Sequence, residues 1–339
     1  MKRIVLFLSI VLFIGISAWL FLNRSATAFS EPSRFFYIRS GTTSLPEVVE
    51  GLKAQGILSS TGMFSLMAER SDYSTHVRPG RYKITRGMSQ LDVFRLLRNG
   101  RQEPVKLVIN KLRTPEDFAR FAGKQLEADS AAIMSFMRNP DSVGRYGLNT
   151  DNIMTLVIPD TYQFFWNTSA SGLFRRLDRE HERFWTKERL DQAASLGLRP
   201  EEVYILASIV EEETNRHDEK PKIAAVYLNR MKKGMSLGAD PTVKFALRDF
   251  GLKRIRIKHI DASAASPYNT YRHKGLPPGP ICTPSAKSID AVLAAEENDY
   301  LFFCAKPDFS GYHAFAATDK EHLQNARVYQ AFLDSIKVK

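Results

Sequence analysis

From Ile4 to Leu22 the chain carries no charged side chain. This apolar run is preceded by Lys2 and Arg3, followed by Asn23 and Arg24, and has Trp19 near its outer end. Such a run is long enough to cross a bilayer as a helix. Two readings of it stand. A cleavable signal would use Ala26-Thr27-Ala28, which has the A-x-A form of a cleavage site; an uncleaved anchor is favoured because the run exceeds the apolar region usual in a signal. In either case the basic N-terminus stays cytoplasmic and everything after residue 24 lies on the far side. The expected location is therefore the cytoplasmic (inner) membrane, single-pass, with the folded part on the periplasmic or extracytoplasmic side.

The chain beyond this run is long enough for two domains. It has 339 residues in all, of which 44% are hydrophobic and 25% charged, as in globular proteins. The formal net charge is +11, and setting Lys2 and Arg3 aside leaves it strongly positive. A basic exported protein belongs near anionic envelope polymers or phospholipid headgroups. A chain translocated across a membrane seldom meets nucleic acid, so no nucleic-acid partner is expected. Cys282 and Cys304 are either a single disulfide of an oxidising compartment or two unpaired core thiols.

The element pattern is mixed α+β. Residues 1–24 are the anchor and 25–34 a short linker. Residues 35–104 form a small α/β segment: a strand at Phe35-Phe36-Tyr37-Ile38, a helix after the capping-box form Ser44-Leu45-Pro46-Glu47, and a helix from Gly62 to Glu69. A strand then enters from the turn at Arg78-Pro79-Gly80, and a helix comes after Ser89-Gln90-Leu91-Asp92. A boundary near residue 104 opens a larger domain, 105–339. It begins with a strand at Val105 to Ile109 and a helix at Thr114-Pro115-Glu116, with Pro in the first turn. Further on, Ile158 to Phe164 is a turn into an aromatic strand, helices fit 170–196, 200–214 and 219–233, and Arg254 to Lys258 alternates like a half-exposed strand. The stretch from Ser266 to Pro284, dense in Pro and Gly, is a long loop of functional type, where Gly permits close backbone approach to a ligand.

The helix over 200–214 carries the chemistry. Val203, Leu206, Ala207 and Val210 recur at helical spacing and predict one buried stripe, while Glu201 and Glu202 suit its first turn. Glu211, Glu212 and Glu213 close it. On a helical projection Glu212 points away from the stripe, whereas Glu211 and Glu213 fall on its two edges. A carboxyl group held against apolar neighbours keeps its proton to higher pH, as a general acid working near neutrality requires. The plain alternative is a solvated acidic helix end.

Six motifs in order carry a resemblance. They are Pro159-Asp160-Thr161-Tyr162, Ala207 to Thr214, Ala224-Ala225-Val226-Tyr227-Leu228-Asn229-Arg230, Asp240-Pro241-Thr242-Val243, Tyr268-Asn269-Thr270-Tyr271 and Gly275 to Pro284. Together they resemble the endolytic murein transglycosylases, the MltG or YceG-like family. The likeness covers nearly the whole chain, because that family has an N-terminal membrane anchor and a LysM-like region ahead of its catalytic part. It implies a LysM-like subdomain over 35–104 and a catalytic domain over 105–339. It also implies cleavage inside peptidoglycan glycan strands at the MurNAc-GlcNAc bond, leaving 1,6-anhydro ends and terminating nascent strands, with peptidoglycan synthases as partners. The family's catalytic acid is the second Glu of an Ile-x-Glu-x-Glu-Thr pattern, which is Glu213 here.

Further candidate residues stand beside Glu213. Tyr268, Asn269 and Tyr271 are expected to hold the N-acetyl group or steady positive charge near C1, the alternative for the tyrosines being a structural place in a Pro-rich turn. Asp240 binds sugar hydroxyls or caps a helix, and Glu211 is a like-charge neighbour of Glu213 or a surface group. Asn229 and Arg230 brace Glu213, and His313 is a core residue. Where members commonly carry Gln ahead of the Asp-Pro-Thr run, this chain has Gly238-Ala239. The sequence contains no HExxH, GxxxxGK or GxGxxG, so neither a metal nor a nucleotide cofactor is expected. Two rival functions stand: a muramidase hydrolysing the same bond with Asp240 or Glu211 activating water, and a non-catalytic glycan-binding scaffold for cell-wall synthases.

Overall fold

The computed structural model describes residues 2–337. Lys2–Leu22 is a continuous helix, α1. The expected transmembrane anchor is not borne out here: among the described residues no helix is long and apolar enough to cross a membrane.

The chain forms two compact units, the first running through Leu107 with 125–128 and 163–169, the second comprising the remainder. In the first unit, beyond α1, lie β1 (Ser33–Ile38), α2 (Leu45–Ala54), α3 (Gly62–Glu69), β2 (Gly80–Thr85) and α4 (Gln90–Arg98). β1 and β2 are antiparallel with Phe36 opposite Tyr82. Phe36 and Ile38 alternate inward, as period-two patterning demands, and meet Leu52, Phe64, Tyr73 and Val93 in the core. Ser89 opens α4 with a reciprocal capping box: its Oγ accepts from the Asp92 amide at 3.1 Å while Asp92 Oδ2 accepts from the Ser89 amide at 3.0 Å. At α2 the expected box is not made, because Ser44 Oγ instead donates to Glu47 Oε1 at 2.8 Å.

After β3 (Val105–Val108) come α5 (Pro115–Gly123), α6 (Ser130–Arg138), α7 (Pro140–Gly144), β4 (Thr161–Phe164), α8 (Ala170–Phe184) and α9 (Lys187–Ser195). The chain continues through α10 (Pro200–Glu213), α11 (Lys220–Lys232), α12 (Asp240–Leu247), α13 (Ile257–Ala262), α14 (Ala286–Leu293), β5 (Phe302–Ala305), β6 (His313–Ala316) and α15 (Asp319–Lys337). Sheets are minor: β1 pairs with β2, β3 with β4 and β5 with β6.

Three expectations change here. The single helix over 170–196 is two, because Thr186 caps a new start by accepting from the Arg189 amide. Arg254 to Lys258 is no strand; with no partner for its ladder, the backbone turns into α13, whose Ile260 amide bonds Arg256 O. And α10 is buried on every face from Val203 to Val210, not along one stripe. It packs against α9, α11, α12 and α14, and a helix surrounded on all sides needs apolar residues all round. Within that span Ser208 pins the Gly275–Pro284 loop by accepting from the Ile281 amide at 3.0 Å while donating to Ile205 O at 2.6 Å. Both cysteines are free thiols, Cys282 buried and Cys304 half-buried.

Candidate active site

Glu213 is the last residue of α10, and Thr214 behind it is already extended. The carboxylate is thus presented where the buried helix ends, enclosed by protein yet retaining some exposure. Tyr227 Oη, from α11, donates to Glu213 Oε1 at 2.5 Å. Burial raises the carboxyl's pKa to about 7; the Tyr227 hydrogen bond opposes the rise, the negative charge of Asp240 adds to it, and Lys244 and Arg230 oppose it. Because Tyr227 occupies Oε1, the proton belongs on Oε2. Burial and then the neighbouring Glu213 push the tyrosine's own pKa well up, so it remains a donor.

Tyr227 is the site residue that the sequence does not single out. Bracing was expected from Asn229 and Arg230, but the Asn229 amide bonds the carbonyls of Asn298 and Tyr300, and Arg230 bonds those of Leu301 and Leu237. The signal was present in the Ala224–Arg230 motif. What the motif alone does not reveal is which of its polar side chains faces α10.

Asp240, whose negative charge acts on Glu213, is paired with Tyr271. Tyr271 Oη donates to Asp240 Oδ1 at 2.6 Å, and burial together with that carboxylate raises the phenol's pKa. Asp240 is the first residue of α12, whose N-cap is Ala239, so capping is not its task. The two segments are tied together behind the pair: the Ala239 amide donates to Thr270 Oγ1 at 3.0 Å, and the Gly238 amide to Thr270 O at 3.0 Å. Gly238 adopts φ +60°, and a Cβ there would lie 3.2 Å from Arg230 Nη1 and 3.5 Å from the Tyr271 ring.

Tyr268 and Asn269 sit behind this surface. Tyr268 packs on Phe245 with ring centroids 4.6 Å apart, and burial lifts its pKa to about 12. Asn269 is 0% exposed; its amide donates to Ile260 O and Ser263 Oγ and accepts from the Tyr271 amide. Its hydrogen-bonding capacity goes to shaping the loop that carries Tyr271.

The three glutamates of the triplet have three environments. Glu211 belongs to a buried polar cluster: Lys220 Nζ donates to its Oε2 at 2.9 Å and to Ser288 Oγ at 2.6 Å, and Ser285 and Ser288 both donate to the same carboxylate. Burial raises the Glu211 pKa, but the hydrogen bonds of Ser288, Lys220 and Ser285 outweigh it and the net direction is down. Glu212 pairs with Lys111 at 2.8 Å and Arg113 at 3.2 Å and is likewise held low. Of the three, only Glu213 lacks a cationic partner at bonding distance, and only its pKa goes up. His313 pairs with the buried Glu219 at 2.9 Å and packs edge-on against Phe303.

The Gly-rich approach proves to be of chain to chain. A Cβ at Gly279 would stand 2.0 Å from the Asp151 carbonyl oxygen and 2.9 Å from Tyr268 Oη. Gly279→Ala is accordingly expected to lower stability by roughly 1–3 kcal/mol, the cost of overpacking a fixed site, as a shift in the urea midpoint. An unchanged midpoint would show that the Asp151 turn yields freely.

With this geometry in place, known proteins can be set beside the chain. Over 117 residues it is 43% identical to a Bacillus subtilis protein named endolytic murein transglycosylase, covering 34% of this chain and 31% of that protein. Over 322 residues it is 25% identical to a Streptococcus pneumoniae protein of the same name, covering 84% of this chain and 56% of that one. The chain therefore spans between about a third and about half of the length of these relatives. A crystal structure of a YceG-like protein from Listeria monocytogenes superposes with a TM-score of 0.56 at 25% identity, over 87% of this chain and 99% of that one. The profile of the YceG-like family matches residues 36–328, which include every site residue described above, and the chain belongs to that family.

Proposed function

We propose that the chain is an endolytic peptidoglycan lytic transglycosylase with Glu213 as its single acid and base. The observation that carries the reading is the carboxyl at the end of α10, half-buried, poised near neutrality and held by one neutral donor. Protonated Oε2 gives its proton to the glycosidic oxygen as the bond to C1 of the muramic residue breaks. The carboxylate then takes the proton of the C6 hydroxyl as O6 bonds to C1, closing the 1,6-anhydro ring. No water is consumed, and the nucleophile is part of the substrate, so proximity replaces activation. Tyr271 and Asp240 are the sugar contacts, whereas Tyr268 and Asn269 position their loop.

The discriminating experiment is digestion of uncrosslinked glycan by residues 30–339, with product masses read. Anhydro ends, lighter by one water, support the proposal; reducing ends alone would indicate hydrolysis. In a hydrolase Asp240 would have to activate the water, since Glu211 is engaged by Lys220 and two serines.

The pH profile carries its own expectation. The acid must start protonated, so cleavage should fall as pH rises through about 7. Tyr227→Phe removes the bond that favours the charged form, so its alkaline limb should move to higher pH. An unmoved limb would separate Tyr227 from the chemistry.

Membrane attachment through Ile4 to Leu22, an extracytoplasmic catalytic unit and strand termination beside synthases are part of the same proposal. So is a LysM-like role for the first unit, which the order β1, α2, α3, β2 supports. Recovery of the full chain, but not of residues 30–339, in a washed membrane fraction tests the attachment.

A further inference from the structure

A hollow of about 660 Å³ opens beside Asp240 and Tyr271, and its other wall is the segment from Arg254 to Lys258 with Ile260. Arg254, Arg256 and Lys258 are exposed. Nearby Arg272 is paired with Asp261, but these three cations form no ion pair among the described residues. The anion lining the hollow, Asp240, is hydrogen-bonded by Tyr271. Between the cations, Ile257 is 75% exposed. Three free cations around one hollow, interleaved with apolar side chains, suit a ligand with several carboxylates and short apolar groups.

A strand freed of its stems offers one carboxylate per muramic residue, that of the lactyl group, and no apolar side chains beside it. The peptide stem turns that carboxylate into an amide but adds several others, spaced along a chain of small side chains. The stem leaves the same sugar ring whose C1 reacts, within about one ring's width of Glu213. We propose that Arg254, Arg256 and Lys258 receive the carboxylates of the peptide stem on the muramic residue at the scissile bond, so that stem-bearing strands are the preferred substrate. This deepens the transglycosylase reading and rests on it.

The test is binding of the full chain carrying Glu213→Gln, which prevents turnover, to uncrosslinked strands with their stems and to strands freed of stems by an amidase. Stem-bearing strands should bind roughly tenfold tighter at low salt, as three modest surface ion pairs allow, and the gap should close as salt is raised. Combining Arg254→Ser, Arg256→Ser and Lys258→Ser should close the gap at low salt, with a smaller loss for stem-free strands, which keep only one lactyl carboxylate per muramic residue. Equal affinity of the parent for both strands, or an undiminished gap in the triple variant, would overturn the assignment. So would loss of binding to anionic vesicles in a triple variant whose strand gap persists, since the segment would then face lipid. Binding to neither strand would instead bring down the transglycosylase reading itself.

Discussion

Glu213→Gln should lose strand cleavage by about 10²- to 10⁴-fold, the usual contribution of a positioned acid and base, while the protein becomes more stable above neutral pH. The amide keeps the shape and can still accept from Tyr227, so the fold has no reason to change. The stability gain is a matter of linkage. The folded-state pKa of about 7 lies above the ordinary value of 4.5, so between those pH values the folded chain holds a proton that the unfolded chain has released. Stability therefore falls as pH rises through that window. By about pH 8 the cost is on the order of 3 kcal/mol, at about 1.36 kcal/mol per pH unit, and a neutral amide escapes it. Urea midpoints should coincide near pH 4.5 and diverge near pH 8, the variant being the more stable. Retained cleavage would end the catalytic assignment, and coincident midpoints at both pH values would mean that the carboxyl is not sheltered.

Lys220→Ala should be the most destabilising single change in this cluster, by about 3–5 kcal/mol in urea unfolding, because it strips a cation from a buried pair and leaves the other charge in place. The Lys220 side chain is 2% exposed and that of Glu211 17%. The cluster ties the end of α10 to the starts of α11 and α14 through Glu211, Lys220, Ser285 and Ser288. Two residues further along is Glu213, so cleavage should decline with the fold. The comparison is Lys187→Ala on the exposed pair with Asp191, whose side chains are 87% and 64% exposed; that change should cost less than about 1 kcal/mol. A Lys220→Ala midpoint no lower than that of Lys187→Ala would show that the serines suffice for Glu211.

Much of this was legible in the residues because it is local. The capping box at Ser89 and Asp92, the inward alternation of Phe36 and Ile38, and the Thr114-Pro115 helix start each depend on a few neighbouring side chains, and all three form. Patterns that need a partner misled. The alternation from Arg254 to Lys258 had no strand to pair with, and Val203 to Val210 looked one-sided only because projection ignores what surrounds a helix. Position in the chain does not report neighbours across space.

The same division runs through the site. By itself the sequence determined that a carboxylate would end an apolar helix, that a Tyr- and Asn-bearing loop would come later, and which family motifs stand in which order. The family pattern already pointed to Glu213, but only the tertiary structure gives the three adjacent glutamates three different environments. α11 and α14 enclose Glu211 with a lysine and two serines, Lys111 and Arg113 claim Glu212, and Glu213 is left with a tyrosine hydroxyl. A carboxyl's proton affinity is set by burial and by charges brought from distant parts of the chain, and spacing along one helix encodes neither.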